Sequence, residues 1–157
     1  MAWLIISAAV VVLDQLTKLL IQNALANIPV YEVTSFFQLV LAYNTGAAFS
    51  FLSDQSGWQR GFFIVVAVIA SIVIVMLLRK YREETLFALA LSLILGGAVG
   101  NLIDRVLLGA VVDFLYFHVG AHYWPAFNVA DSAISCGAMM LLWDAVRKKT
   151  RETNTSF

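Results

Sequence analysis

Two aspartates stand in strongly apolar surroundings. Asp113 lies inside Val111-Val112-Asp113-Phe114, and Asp131 closes Phe127-Asn128-Val129-Ala130-Asp131. An unpaired charge in a bilayer costs about 2.5–3.5 kcal/mol even on lenient insertion scales, so a carboxylate kept there marks function by default. Two carboxylates held close together do not both ionise readily and tend to share a proton. The ionised one takes a proton from water while the protonated one donates to a carbonyl, and an amide is hydrolysed without a covalent intermediate. We read Asp113 and Asp131 as such a pair. Ser132 and Ser135 have no histidine beside them in sequence, which counts against serine chemistry. Spacing leaves a second reading open, because two intramembrane aspartates also suit a proton or ion pathway.

The elements that position this pair are membrane spans. The chain has 157 residues, 61% of them hydrophobic, with a mean hydropathy of +0.85. Soluble domains average about 45–50% apolar residues, so this is an integral membrane protein. Its length allows about four spans of roughly 20 residues within one domain covering residues 1–157. Ten basic and ten acidic residues balance to zero net charge, and nothing points to nucleic acid. Cys136, the single cysteine, cannot form an internal disulfide and reads as a small core residue.

The spans fall at about 3–21, 61–78, 85–103 and 124–143. The first has the outline of a cleavable signal sequence, with Ala24-Leu25-Ala26 after it. Asp14 and Lys18 interrupt its apolar run and no basic residue precedes it, so a retained span is expected. Asp14 and Lys18 are four apart and share a helical face, either as a local ion pair or as support for a polar site. The third span ends in Gly96, Gly97 and Gly100, small residues that let helices approach closely. Asn101 and Arg105 share a face beyond them, and Asp104 and Arg105 also suit a span end at the headgroups. In the fourth span Pro125 suits a first helical turn. Asn128 and Asp131 point the same way, with Asp131 about 10 Å below Trp124 at 1.5 Å per residue.

Between the first two spans, Val30–Tyr43 reads as one or two strands, and Asn44-Thr45-Gly46 as a turn. From spacing, Asn44 is a loop residue. The stretch 47–52 suggests a short interfacial amphipathic segment. Residues 45–59 as a whole are a candidate lid. Val111–Val119 has strand residue types. His118 and His122 are four apart, but Gly120 lies between them and no helix is evident, so no metal site is assigned. Arg79, Lys80 and Arg82 follow the second span, and Arg147, Lys148, Lys149 and Arg151 follow the fourth. The positive-inside rule then puts both termini in the cytoplasm and Asp113 on the far face. The basic tail is expected to be disordered at its tip.

Five segments, in order, resemble lipoprotein signal peptidase, the bacterial type II signal peptidase, an aspartic membrane protease. They are Asp14-Gln15-Leu16-Thr17-Lys18, Asn44-Thr45-Gly46-Ala47-Ala48-Phe49, Gly97-Ala98-Val99-Gly100-Asn101-Leu102-Ile103-Asp104-Arg105, Val111-Val112-Asp113-Phe114 and Phe127-Asn128-Val129-Ala130-Asp131-Ser132. Each is short, but together they span nearly the whole chain. The resemblance implies a mainly α membrane protein with four transmembrane helices, a small β cradle and an interfacial amphipathic helix on the outer face. It implies that Asp113 and Asp131 are the dyad. It also implies that Asp14, Lys18, Asn44, Gly46, Asn101, Asp104, Arg105, Asn128 and Ala130 support the site or hold substrate. The substrate would be a diacylglyceryl prolipoprotein, cut just before the lipidated cysteine, and globomycin would block the site. No metal or other cofactor is implied. The expected setting is the bacterial inner membrane, among its lipids, with the protein acting as a monomer.

Overall fold

The computed structural model describes residues 2–28, 30–46 and 58–155, with side chains described as far as residue 149. The expected interfacial segment at 47–52 and most of the candidate lid lie outside the described residues. Four helices alternate with two pairs of strands: α1 (Ala2–Ala24), β1 (Val30–Thr34), β2 (Phe37–Asn44), α2 (Trp58–Lys80), α3 (Thr85–Leu107), β3 (Val111–Val119), β4 (His122–Phe127) and α4 (Val129–Thr155). All four helices are long and apolar enough to cross a membrane, α4 over Val129–Lys149.

Helix α1 is apolar outside and polar within. In α1 the buried residues are Ser7, Asp14 and Lys18, while Ile5, Val12, Leu13, Leu16, Leu19 and Leu20 are exposed. Lipid solvates such side chains as well as a core would, so close packing and polar contacts have to hold the bundle together. Helix α3 is central and packs on α1, α2 and α4. Its glycines make that possible. A β-carbon on Gly96 would meet Val10 and the Ser7 carbonyl of α1, and one on Gly97 would lie 2.3 Å from the Ala130 carbonyl oxygen of α4. Ile74 and Leu78 of α2 close an apolar cluster with Ala88, Leu91 and Leu95 of α3.

The strands form one antiparallel sheet in the order β1-β2-β3-β4, at the end of the bundle where α1 and α3 finish and α2 and α4 begin. Leu39 lies opposite Leu115, and Ala42 opposite Asp113. The rings of Phe37 and Phe117 stack at 4.7 Å. The inner half of β3, Val111 to Phe114, is buried against the helices. The end of β2 reaches the bundle too, where Gln22 of α1 donates to the Tyr43 hydroxyl at 3.3 Å.

Several expectations are corrected. The fourth span begins at Val129 rather than Trp124. Trp124 and Pro125 belong to β4, where Trp124 pairs with Phe117 and the aromatic run completes the hairpin. Asp131 therefore lies in the first turn of α4, not two turns down. The basic tail continues α4 as far as Thr155. Cys136 is exposed, since α4 turns Ala133 and Gly137 inward and Cys136 outward. In lipid an apolar position need not be a core position. Asn44 closes β2 rather than lying in a loop.

Candidate active site

Helix α4 opens on a capping box. The Asp131 amide donates to Asn128 Oδ1 at 2.9 Å, and the Asn128 amide donates back to Asp131 Oδ2 at 3.3 Å. Asn128 is wholly buried, and its side-chain nitrogen donates to Asp113 Oδ1 at 2.7 Å. One asparagine thus bonds both aspartates. Each aspartate has a second amide donor: Asn44 Nδ2 to Asp113 Oδ2 at 2.9 Å, and Asn101 Nδ2 to Asp131 Oδ1 at 2.7 Å. Asn128 Nδ2 also lies 3.2 Å from Asn101 Oδ1, which joins the three asparagines into one network.

Beneath the aspartates lies an ionic group that the sequence divides between two helices. Lys18 Nζ lies 2.8 Å from Asp14 Oδ2, 2.8 Å from Asp104 Oδ2 and 3.0 Å from Asn101 Oδ1, and all four residues are buried. Each of the two partner carboxylates grips a backbone amide. Asp14 Oδ1 accepts from Ala130 N at 2.8 Å, and Asp104 Oδ2 accepts from Val112 N at 3.0 Å. Ala130 directly precedes Asp131, and Val112 directly precedes Asp113. The lysine therefore ties together the backbone on which both aspartates are mounted. Asp104 is no headgroup residue, and the Asp14–Lys18 pair is more than local neutralisation.

Gln15 is in this group too, although sequence reasoning gave it no role. Its side-chain nitrogen donates to Asp104 Oδ1 at 2.8 Å and to the Gly100 carbonyl at 3.2 Å. Its place beside Asp14 was the available signal. A β-carbon at Gly100 would come within 2.6 Å of Asp14 Oδ2, so the glycine makes room for the carboxylate. Ala130, with no exposed surface, contributes its amide and its small size.

Gly46 has φ of +99°, which an L side chain rarely adopts, and its amide donates to Asn44 Oδ1 at 2.9 Å. Arg105 is half-buried, with one long bond of 3.4 Å from Nη1 to the Asn101 carbonyl. His118 and His122 lie on adjacent strands of the β3–β4 hairpin, where Val119 pairs with His122.

Burial pushes the Asp113 carboxyl up to about 6, and the charge of Asp131 pushes the same way against the bonds from Asn44 and Asn128. A carboxyl poised there exchanges its proton near neutral pH. The other buried charges at this end are Asp14, Lys18 and Asp104. Between them and Asp144 at the far end, the only buried polar residues among those described are Ser7 and Ser92. The arrangement suits proton exchange at one face better than conduction across the bundle.

Known proteins resemble this chain over most of its length. A family model described as signal peptidase (SPase) II matches residues 6–147. The lipoprotein signal peptidase of Janthinobacterium sp. (strain Marseille) is 53% identical over 146 residues, covering 93% of this chain and 88% of the relative. That of Azoarcus sp. (strain BH72) is 53% identical over 145 residues, covering 92% and 82%. Two solved bacterial membrane enzyme structures are each 31% identical to this chain. One superposes with a TM-score of 0.83 over 96% of this chain and 90% of its own, the other with 0.78 over 92% of each. The sequence, the fold and the relatives converge: the chain belongs to the signal peptidase II family of peptidases.

Proposed function

We propose that this peptidase removes the signal peptide from prolipoproteins carrying a diacylglyceryl-modified cysteine, cutting just before that cysteine, with Asp113 and Asp131 as its catalytic dyad. The observation that carries the reading is Asn128, which bonds Asp113 through its side-chain nitrogen and Asp131 through its backbone amide. The two carboxylates are thereby held as a pair, and the names of the relatives supply the substrate class.

In the reaction, one carboxylate is ionised and takes a proton from a water molecule. The other is protonated and donates to the scissile carbonyl oxygen. The water oxygen bonds to the carbonyl carbon and forms a tetrahedral gem-diol. In its collapse one hydroxyl gives its proton to the carboxylate that is ionised, the C–N bond breaks, and the leaving nitrogen takes up the proton of the other carboxyl. Asn44 and Asn101 keep each carboxylate's orientation through the cycle. The group formed by Asp14, Lys18 and Asp104 holds the backbone at Ala130 and Val112. Arg105 has donors to spare for a substrate backbone carbonyl, and Gly46 shapes the rim beside Asn44.

The chain acts as a single domain and a monomer in the bacterial inner membrane. Arg79, Lys80, Arg82 and the basic end of α4 lie on the cytoplasmic side, so the sheet and dyad face outward. A substrate with its own membrane segment and lipid is met where water reaches the ends of the helices. Globomycin would occupy the same place.

The test is cleavage of a diacylglyceryl prolipoprotein by purified protein in detergent. Wild type is run beside Asp113→Asn and Asp131→Asn, with and without chelator, and with globomycin. Cleavage by wild type alone, indifferent to chelator and stopped by globomycin, is the expected result. A folded double variant that still cleaves would overturn the dyad, and a wild type inert toward unmodified and modified substrate alike would overturn the function.

A further inference from the structure

Helix α2 contributes no residue to the network of asparagines and carboxylates, yet its first two turns converge on one residue beside it. Arg60 Nε donates to the Arg105 carbonyl at 2.9 Å, and Arg60 Nη2 donates to the Val106 carbonyl at 2.8 Å. These are carbonyls of the last turn of α3, which have no partner within the helix. Three residues further along α2, Phe63 lies under the side chain of the same Arg105, with the guanidinium carbon 5.0 Å from the ring centroid. One helix therefore grips Arg105 by its backbone and by its side chain. The ring is fixed from behind as well. Phe62 meets it edge-on at 5.5 Å between centroids. A β-carbon on Gly46 would come within 2.4 Å of Phe63 Cε2, so the ring fills the space this glycine leaves open. A short chain of contacts then runs from Asp113 through Asn44 and Gly46 to Phe63 and Arg105.

We propose that Phe63 is a positioning residue for the peptidase reaction: its ring is the plate over which the Arg105 guanidinium is held, so that the free donors point toward the substrate beside the dyad. The inference rests on the function proposed above. A guanidinium stacked on a ring keeps its in-plane N–H groups for other partners, because the contact uses the face of the cation and not its edge. Apart from the long bond to the Asn101 carbonyl, the Arg105 side chain makes no hydrogen bond or ion pair among the described residues. With the ring removed, only that long bond and the attraction of the nearby aspartates would orient the guanidinium. The reading also gives Gly46 a second reason to be glycine, since any side chain there would displace the plate.

The experiment is a double-mutant cycle on substrate binding in Asp113→Asn protein, which on the proposed mechanism binds without turnover. The dissociation constant of a diacylglyceryl prolipoprotein is measured for Phe63→Leu, Phe63→Tyr, Arg105→Gln and the Phe63→Leu/Arg105→Gln pair, with a thermal melt of each. Phe63→Leu should weaken binding roughly three- to thirtyfold, the range of a cation–π contact from exposed to desolvated. Phe63→Tyr should restore it, and Phe63→Leu should add nothing once Arg105→Gln is present. Unchanged binding in Phe63→Leu, no rescue by tyrosine, or the same loss with and without Arg105 would each overturn the proposal. Failure of the underlying function reads differently: wild type would leave the prolipoprotein uncut, whatever stands at position 63.

Discussion

The two ends of the bundle use the same local motif and make different things of it. Near the sheet, Asp14 and Lys18 are four residues apart on α1, and Lys18 reaches Asp104 on α3. At the other end, Asp144 and Lys148 are four apart on α4, and Lys148 reaches Glu84 at the start of α3. Each lysine bridges a carboxylate one helical turn away and another on a neighbouring element. The side chain of Lys18 is 3% exposed and that of Lys148 is 50% exposed. At the sheet end the carboxylates also accept the backbone amides of Ala130 and Val112, whereas at the far end no such backbone bond joins the cluster among the described residues. A bridging lysine in water is a fastening of little value. The same bridge buried and bonded to the main chain becomes the frame on which the aspartates stand.

Substitutions can break this comparison, beginning with the largest effect. Asp113→Asn or Asp131→Asn should lower turnover roughly a thousandfold or more, the scale of general acid–base catalysis. Fold should be kept at a modest cost in melting, since asparagine has the same shape and its one oxygen still accepts one of the two bonds each carboxylate holds. Single-turnover cleavage beside a thermal melt checks this. Lys18→Met should then destabilise the protein by about 3–5 kcal/mol, because it leaves Asp14 and Asp104 buried without a counter-charge. A denaturation series in detergent reads it, and retention of wild-type stability would remove the frame from the argument.

Gly97→Ala is next. Its β-carbon would meet the Ala130 carbonyl, which is backbone and cannot rotate away, so α4 has to shift against α3. A cost of about 1–3 kcal/mol is expected. Activity should fall further than stability, because Asp131 moves with the carbonyl. Kinetics beside a melt separate the two.

The pH dependence sharpens the contrast. The Asp113 carboxyl is raised from the usual 3.8 to about 6, so the folded state holds a proton there that the unfolded chain has released. Its stabilising contribution is complete below about pH 4 and is lost as pH rises through about 6. Stability curves of wild type and Asp113→Asn should therefore differ in slope across that window and run parallel above it. Lys148→Met is the smallest expected change, about 1 kcal/mol in the same denaturation series, because Lys148 and Glu84 are half-exposed although Asp144 is buried. If it matched Lys18→Met, burial would not be what separates the two ends.

Much of this was legible in the chain. The four spans follow from long apolar runs, the first three strands from β-branched and aromatic residues, and the close helix contacts from Gly96, Gly97 and Gly100. The start of α4 was not. Pro125 and Trp124 suit a helical first turn as well as an edge strand, and only pairing with β3 decides between them. Cys136 misled for a related reason: in lipid, apolarity does not distinguish a core face from an outer one. Asn44 looked like a turn residue because its partner, Asp113, lies 69 residues away. Phe63 carried no signal, since one phenylalanine in an apolar span resembles any other.

The sequence by itself determined that this is a membrane protein of four spans with a β-rich connection at one end. Those properties depend on composition and on patterns within a few turns of chain, and lipid or water reads them locally. The five short motifs likewise placed the chain in its family. Only the tertiary structure decided that Lys18 serves two carboxylates on different helices, that those carboxylates hold the amides before Asp113 and Asp131, and that α2 reaches Arg105. Such contacts join residues as many as 116 positions apart, as from Ala130 to Asp14. Their strength comes from exclusion of water, which no local stretch of sequence can produce until the helices have packed.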